Sequence, residues 1–362
     1  MRDTLTSDFR SIVLNETPLL DVRASVEYLK GAFINATNIA ILNDNERHLV
    51  GTRYKKYGNA AAVKLAEELI KEEGKKQRVS QWREYLKENP TALLYCFRGG
   101  QRSGISQNWL YEAGIEITRL KGGYKAFRNF LMEESLNISE KTDTIILGGR
   151  TGSGKTLLFP EIKNSIDLEK LANHRGSSFG NFVSSQPSQI NFENSLAYKL
   201  IQFDAKNYKN LVIEHESHNI GRSFIPKPIY TNLMNGKLVL LETPLQERID
   251  ITFNEYIVNA LNLYKEKYNE NGIQEWANDV NNSLDKIQKR VGSEFYIELK
   301  TIFKNALQEH IKDGKIDSYK ELIQKLLENY YDPMYDYQIK KSPIPIIFKG
   351  NKKEVLNFIK NA

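Results

Sequence analysis

Two α/β domains in tandem, each built on a mainly parallel sheet, are the fold class the sequence predicts, the second domain carrying a phosphate-binding loop and a helical insertion. Three observations predict it. At 362 residues the chain exceeds what one hydrophobic core usually spans. Short apolar runs alternate with stretches of helical period, which implies strand–helix–strand units and sites at the carboxyl ends of strands. The stretch from Gly149 to Thr156 then matches G-x-x-x-x-G-K-[ST] directly after an apolar run. The expected boundaries are a first domain over 1–136, a polar linker over 137–143 within the run EESLNISEKTD, and a P-loop domain over 144–362 that includes a helical segment at about 253–330.

In the first domain, Pro18 to Arg23 reads as a short buried strand, Ser25 to Leu29 as a helical turn, and Gly31 to Ile39 as a loop entering another strand. Apolar residues at Val63, Leu65, Ala66, Leu69 and Ile70 recur at helical spacing. Ala92 to Tyr95 is a strand that delivers Cys96, and Ser103 is the expected cap of a helix burying Ile105, Trp109, Leu110 and Ala113. Asp21 and Arg23 are expected to form a structural ion pair at a strand end.

Cys96 is the one cysteine of the chain, and it stands where the apolar run stops and a loop of Arg98, Gly99, Gly100 and Arg102 begins. Successive backbone N–H groups of such a loop can form an anion nest, and a following helix adds the positive end of its dipole. Both favour a thiolate, so Cys96 is a candidate nucleophile.

In the second domain Thr144 to Leu147 is the strand ahead of the phosphate loop, and Leu157 to Phe159 are expected to continue a helix after it. Gly149, Arg150, Thr151, Gly152, Ser153 and Gly154 supply a loop whose amides can wrap phosphate. Lys155 meets its oxygens, and the Thr156 hydroxyl suits Mg²⁺. Asn210 to Glu216 reads as a buried strand ending in carboxylates, of which Glu214 or Glu216 is the candidate to hold that metal through water. Lys237 to Glu242 and Ile344 to Phe348 are further strands, and Lys353 to Lys360 is a closing helix. Arg175, Arg222 and Arg248 are candidate phosphate contacts alongside Arg150.

The composition narrows the function classes. One cysteine excludes an internal disulfide and a zinc site built on cysteines, and fits a reducing compartment. The HESHN run holding His215 and His218 lacks the i+4 histidine of a zincin helix. No apolar run approaches the ~18 residues that span a bilayer, so a cytoplasmic protein without membrane contact is expected. A net charge of +6 is compatible with a polyanionic partner.

Asp21-Val22-Arg23, Glu27-Tyr28, Gly31-Ala32, Asn38-Ile39, the Cys96 to Ser103 loop and Leu120-Lys121-Gly122-Gly123-Tyr124 together resemble a rhodanese (sulfurtransferase) domain. Such a domain carries sulfur or selenium on its loop cysteine as a persulfide or perselenide. A rhodanese-like domain followed by a P-loop domain resembles the tRNA 2-selenouridine synthase family of bacteria. The likeness extends through Asn43 to Arg47, Val50 to Tyr54, Ala172 to Gly180 and Tyr330 to Tyr335.

The resemblance implies a two-step exchange at the wobble 2-thiouridine in the anticodon arm of tRNA. Geranyl diphosphate first gives S-geranyl-2-thiouridine, and selenophosphate then gives 2-selenouridine. It further implies that Gly149 to Thr156 hold the diphosphate, with Mg²⁺ as a candidate ion. Cys96 would carry selenium, and Arg98, Gly99, Gly100 and Arg102 would bind selenophosphate. A monomer with transient contact to a selenophosphate-producing enzyme is expected. Two other readings stay open: an ATP-dependent rhodanese-type sulfur transferase or kinase acting on RNA or a small molecule, and a non-catalytic docking module.

Overall fold

The computed structural model describes residues 4–362 and divides into two compact units. The first comprises the chain up to Ser139 together with Ser188–Asn207, and the second comprises Glu140–Pro187 and Tyr208–Ala362.

The first unit is built on five short strands: β1 (Leu5–Thr6), β2 (Leu19–Asp21), β3 (Ala36–Asn38), β4 (Leu93–Tyr95) and β5 (Thr118–Leu120). All pair in parallel, in the spatial order β1-β5-β4-β2-β3. Leu19, Leu20 and Leu94 are fully buried, as expected where helices cover both faces of a parallel sheet. Trp82, Leu110 and Ile117 complete one core with Leu20, Leu94 and the Cys96 side chain. Asp44–Glu88 is helical throughout except at two positive-φ residues, Gly58 (79°) and Lys71 (52°), which divide it into three stretches. Of these, the sequence periodicity predicts only the middle one.

Two local expectations differ from the structure. Residues 137–141, expected as part of the linker, are the end of the helix Gly123–Lys141, whose buried face includes Leu131, Ser135, Ile138 and Ser139. Serines on that face hide the apolar stripe from a sequence reading. The helix Gln189–Asp204, expected inside a continuous P-loop domain, belongs instead to the first unit. Asn191 Oδ1 accepts from the Ala32 amide at 2.8 Å, and Asn194 Nδ2 donates to the Ala32 carbonyl at 2.7 Å. Arg128 adds a bond to Asn194 Oδ1 at 2.5 Å and an ion pair with Glu193.

The second unit contains β6 (Thr144–Gly148), β7 (Ser165–Ile166), β8 (Leu211–Glu214), the hairpin β9 (Asn219–Ile220) and β10 (Ser223–Phe224), β11 (Lys237–Leu241) and β12 (Ile346–Gly350). Its main sheet is parallel in the order β12-β11-β6-β8-β7. From central β6 the chain builds one side through β7 and β8, then the other through β11 and β12. This makes the carboxyl end of β6 a topological switch point, the usual ligand position of open α/β sheets. Helices between Leu245 and Lys341 form a second layer with its own core, in which Trp276, Leu284, Phe303, Tyr319 and Leu326 are buried.

The segment after the phosphate loop corrects a further expectation. Lys155–Leu157 and Phe159–Glu161 are single 3₁₀ turns, not an α-helix. Pro160 lacks the N–H that a continuing helix requires. The phosphate loop therefore has no long helix behind it, and its positive character must come from backbone amides and Lys155.

Candidate functional site

In the first unit, parallel pairing of β4 between β2 and β5 brings Cys96, Asp21 and Leu120 to one end of the sheet. The loop after Cys96 packs on the start of the helix Gly123–Lys141. The amides of Tyr124 and Lys125 donate to the carbonyls of Cys96 and Phe97, both at 2.9 Å. Gly123 (φ 59°) allows this approach, since a Cβ there would overlap the Cys96 carbonyl oxygen and the Gly99 nitrogen. With those carbonyls committed, the amides of Arg98, Gly99 and Gly100 have no backbone acceptor, the arrangement of an anion nest. The helix that follows is Gln101–Glu112, capped by Gly100 and not by Ser103.

Ser103 lies inside the first turn, where its hydroxyl stands 3.2 Å from Cys96 Sγ and 3.1 Å from the Gly100 carbonyl. Given to Gly100, its single proton leaves Oγ to accept from the thiol; turned to sulfur, it would stabilise a thiolate. The buried Arg119 supports this arrangement, with Nη1 3.1 Å from the Gly99 carbonyl and 3.5 Å from Ser103 Oγ.

The two loop arginines are not alike. Arg98 is exposed and forms no ion pair among the described residues, whereas Arg102 is bidentate to Glu27 at 2.5 and 3.0 Å. Asp21 and Arg23 form the expected pair, fully buried, with Tyr95 donating to Asp21 at 2.8 Å and the Arg23 guanidinium 4.0 Å from the Tyr124 ring centroid.

In the second unit, the loop Gly149–Gly154 is gripped through its carbonyls. Arg248 Nε donates to the Thr151 carbonyl at 3.0 Å, and Thr243 Oγ1 donates to the Ser153 carbonyl at 2.9 Å. Lys155 Nζ folds back onto the Gly149 carbonyl at 2.8 Å. Arg248 is itself buried and bidentate to Asp332 at 2.9 and 2.5 Å, while Arg150 is bidentate to Asp336 at 3.0 and 2.6 Å. Both arginines therefore fix the loop to the helix Asp332–Lys341.

A cavity of about 910 Å³ opens above this loop. Its lining holds polar residues, among them Lys155, Thr156, Glu169 and Glu216, together with apolar ones, among them Phe182, Met234, Met334 and Ile344. The Ser153 and Thr252 hydroxyls at its wall are buried without a hydrogen-bond partner. A smaller space of about 70 Å³ among Ile257, Ala260, Trp276, Leu322 and Leu326 shares Tyr256 and Tyr331 with it.

Arg175 lines the cavity and stacks on Phe182 at 4.0 Å, whereas Arg222 is exposed and lines a different recess.

The family model described as the tRNA 2-selenouridine synthase AAA domain matches residues 142–362, and the one described as a rhodanese-like domain matches residues 7–130. A tRNA 2-selenouridine synthase of Sulfurovum sp. is 51% identical over 98% of each chain. The chain belongs to the tRNA 2-selenouridine synthase family. The proteins of that name from Hydrogenovibrio crunogenus and Shewanella denitrificans are 44% and 42% identical, covering 98% and 96% of this chain and 98% and 95% of theirs.

For a member of this family, the carboxylates are where the sequence is least informative and the structure most. Glu214 is fully buried and accepts from the Glu169 amide at 3.0 Å, its other oxygen unpartnered. Burial, and then the charge of Glu169, push its pKa well up. Glu216 reaches the cavity, and there it meets Glu169, a residue the sequence reading leaves out. Burial and the charge of Glu216 push Glu169 up to about 8, against the pull of Lys155. The Thr156 hydroxyl lies 3.3 Å from Glu169 Oε2. Glu169 follows no diagnostic strand in the sequence; only β7 beside β8 brings it under the phosphate loop.

Proposed function

We propose that the protein converts wobble 2-thiouridine in tRNA to 2-selenouridine through an S-geranyl intermediate, using geranyl diphosphate and selenophosphate. The observation that carries the reading is the cavity of the second unit, whose lining joins a phosphate loop to several apolar side chains. The loop suits a diphosphate, and the apolar side chains of the lining suit a hydrocarbon chain. In the first step the thiouridine sulfur attacks the prenyl carbon bonded to the diphosphate oxygen. The C–S bond forms, the C–O bond breaks, and pyrophosphate leaves.

Loop amides and Lys155 hold the charge that develops on that leaving group. The Ser153 and Thr252 hydroxyls gain acceptors when phosphate oxygens enter. Thr156, Glu169 and Glu216 fit a Mg²⁺ ion, which relieves the crowding of two carboxylates and needs few protein ligands when phosphate supplies the rest. Bound there, Mg²⁺ supplies added positive charge to the diphosphate.

In the second step the selenium of selenophosphate attacks the base carbon that bears the geranyl-thio group. The C–Se bond forms, the C–S bond breaks, the thiolate leaves and takes up a proton as geranylthiol, and water cleaves the P–Se bond to release phosphate. Cys96 is the selenium-handling group of this step, and the Arg98–Gly100 amides with the Arg98 side chain receive the oxyanion of selenophosphate. Arg102, already held by Glu27, orders the loop.

The test supplies the protein with 2-thiouridine-containing tRNA and geranyl diphosphate without selenium, and identifies the wobble nucleoside by mass spectrometry. S-geranyl-2-thiouridine is expected. Absence of geranyl transfer, together with tRNA-stimulated ATP hydrolysis, would favour the ATP-dependent alternative.

A further inference from the structure

The helical stretch that ends at Gly58 in the first unit has no buried face over its last two turns. Every residue from Gly51 to Ala60 is exposed, and Tyr54 and Tyr57 are each 57% exposed. A helix is ordinarily held by an apolar stripe against a core, and one that is polar all round needs another source of stability. Two tyrosines one turn apart, on the same helix face and open to solvent, are aromatic area without a partner.

The charges of the segment itself have one sign, while Glu27, Glu67 and Glu72 line the neighbouring cavity. Between Arg47 and Ala66 the sequence holds Arg47, Arg53, Lys55, Lys56 and Lys64 and not one carboxylate. Arg47 pairs with Glu27 at 3.6 Å, while Arg53, Lys55, Lys56 and Lys64 form no ion pair among the described residues. Arg53 and Lys56 lie 5.2 and 5.1 Å from the Tyr57 ring centroid, so cations and ring form one surface. Gly58 (φ 79°) stops the helix immediately afterwards, and nothing lies within 4 Å of where its Cβ would be.

This surface adjoins the thiol loop. A cavity of about 930 Å³ has Tyr54 and Lys55 in its lining together with Gln101, Arg102 and Trp109, the last three from the helix that follows the Cys96 loop.

From these observations we infer that the segment Arg53–Tyr57 is a docking surface for single-stranded RNA: Tyr54 and Tyr57 stack on unpaired bases, and Arg53, Lys55 and Lys56 contact the flanking phosphates. Cations with interleaved exposed aromatics are the recognition chemistry of single-stranded nucleic acid, because every base has a face to stack and every linkage a charge. An acidic protein surface would satisfy the lysines and arginine but leave the rings without a reason to be exposed. The inference rests on tRNA being the substrate and places the anticodon loop against the first unit.

The test uses the full chain and a fluorescein-labelled anticodon stem-loop, with affinity read by anisotropy over a range of salt. Tyr54→Ala/Tyr57→Ala is expected to weaken binding at least about tenfold, whereas Tyr54→Phe/Tyr57→Phe retains it, because the rings remain. Arg53→Ala/Lys55→Ala/Lys56→Ala is expected to lower the slope of log affinity against log salt by about 2, three cations at about 0.7 each. All of these side chains are exposed, and circular dichroism checks that each variant is folded. Wild-type affinity and slope in both alanine variants would overturn the docking surface, as would equal binding of a fully paired RNA duplex by the unaltered protein. Failure of the unaltered protein to bind the stem-loop at all would instead overturn the tRNA reading on which the inference rests.

Discussion

The Cys96 loop and the Gly149–Thr156 loop occupy equivalent places, at the carboxyl end of an interior strand of a five-stranded parallel sheet, and are built to hold charge in different ways. After Cys96 comes a helix of 12 residues, so the nest is backed by a dipole. After Lys155 come only 3₁₀ turns, so the second loop depends on a side-chain ammonium and on amides aimed by its glycines. The thiol site carries the Cys96 side chain with a hydroxyl beside it; the Gly149–Thr156 site carries a cation, two cavity-facing carboxylates and apolar side chains in the cavity lining. In both, an arginine that a sequence reading places on the ligand is bidentate to a carboxylate: Arg102 to Glu27 and Arg248 to Asp332. Arginine beside a glycine-rich loop is here architecture more than chemistry.

The comparison can be broken or sharpened by substitution. The largest effect is expected for Lys155→Ala, which should slow geranyl transfer about 10²–10³-fold, measured as S-geranyl nucleoside formed per minute, with the fold unchanged. Next comes Arg248→Ala. It removes the bidentate partner of the mostly buried Asp332, leaving only Arg150 at 3.6 Å, and should cost about 3 kcal/mol in urea unfolding. Gly123→Ala forces a Cβ into the Cys96 carbonyl at a positive φ, and a loss of about 2 kcal/mol is expected by the same measurement. Arg102→Ala should be the mildest, below about 1 kcal/mol, because its pair with Glu27 is partly exposed and Arg47 remains beside that carboxylate. Equal costs for Arg102→Ala and Arg248→Ala would erase the distinction between a buried clamp and a half-exposed one.

Much of this was legible in the residues. The strand before Cys96, the strand before Gly149 and the phosphate loop itself are local patterns, and local patterns survive folding. What could not be read depends on partners far apart in sequence. Glu27 is 75 residues from Arg102, and Asp332 is 84 from Arg248, so nothing local marks those arginines as paired. Glu169 becomes a site residue only through the pairing of β7 with β8. The helix Gln189–Asp204 shows the same limit at the scale of a domain, since its attachment to Ala32 and Arg128 is invisible to sequence order. Pro160 is the one local signal against a helix after the phosphate loop, where the motif by itself implies one.

The division of labour between the two loops is the central claim, and nucleoside mass spectrometry of tRNA treated with a single variant tests it most directly. Given 2-thiouridine-containing tRNA, geranyl diphosphate and selenophosphate, the Cys96→Ala protein should accumulate S-geranyl-2-thiouridine and form no 2-selenouridine. Formation of 2-selenouridine at the rate of the unaltered protein would contradict the account.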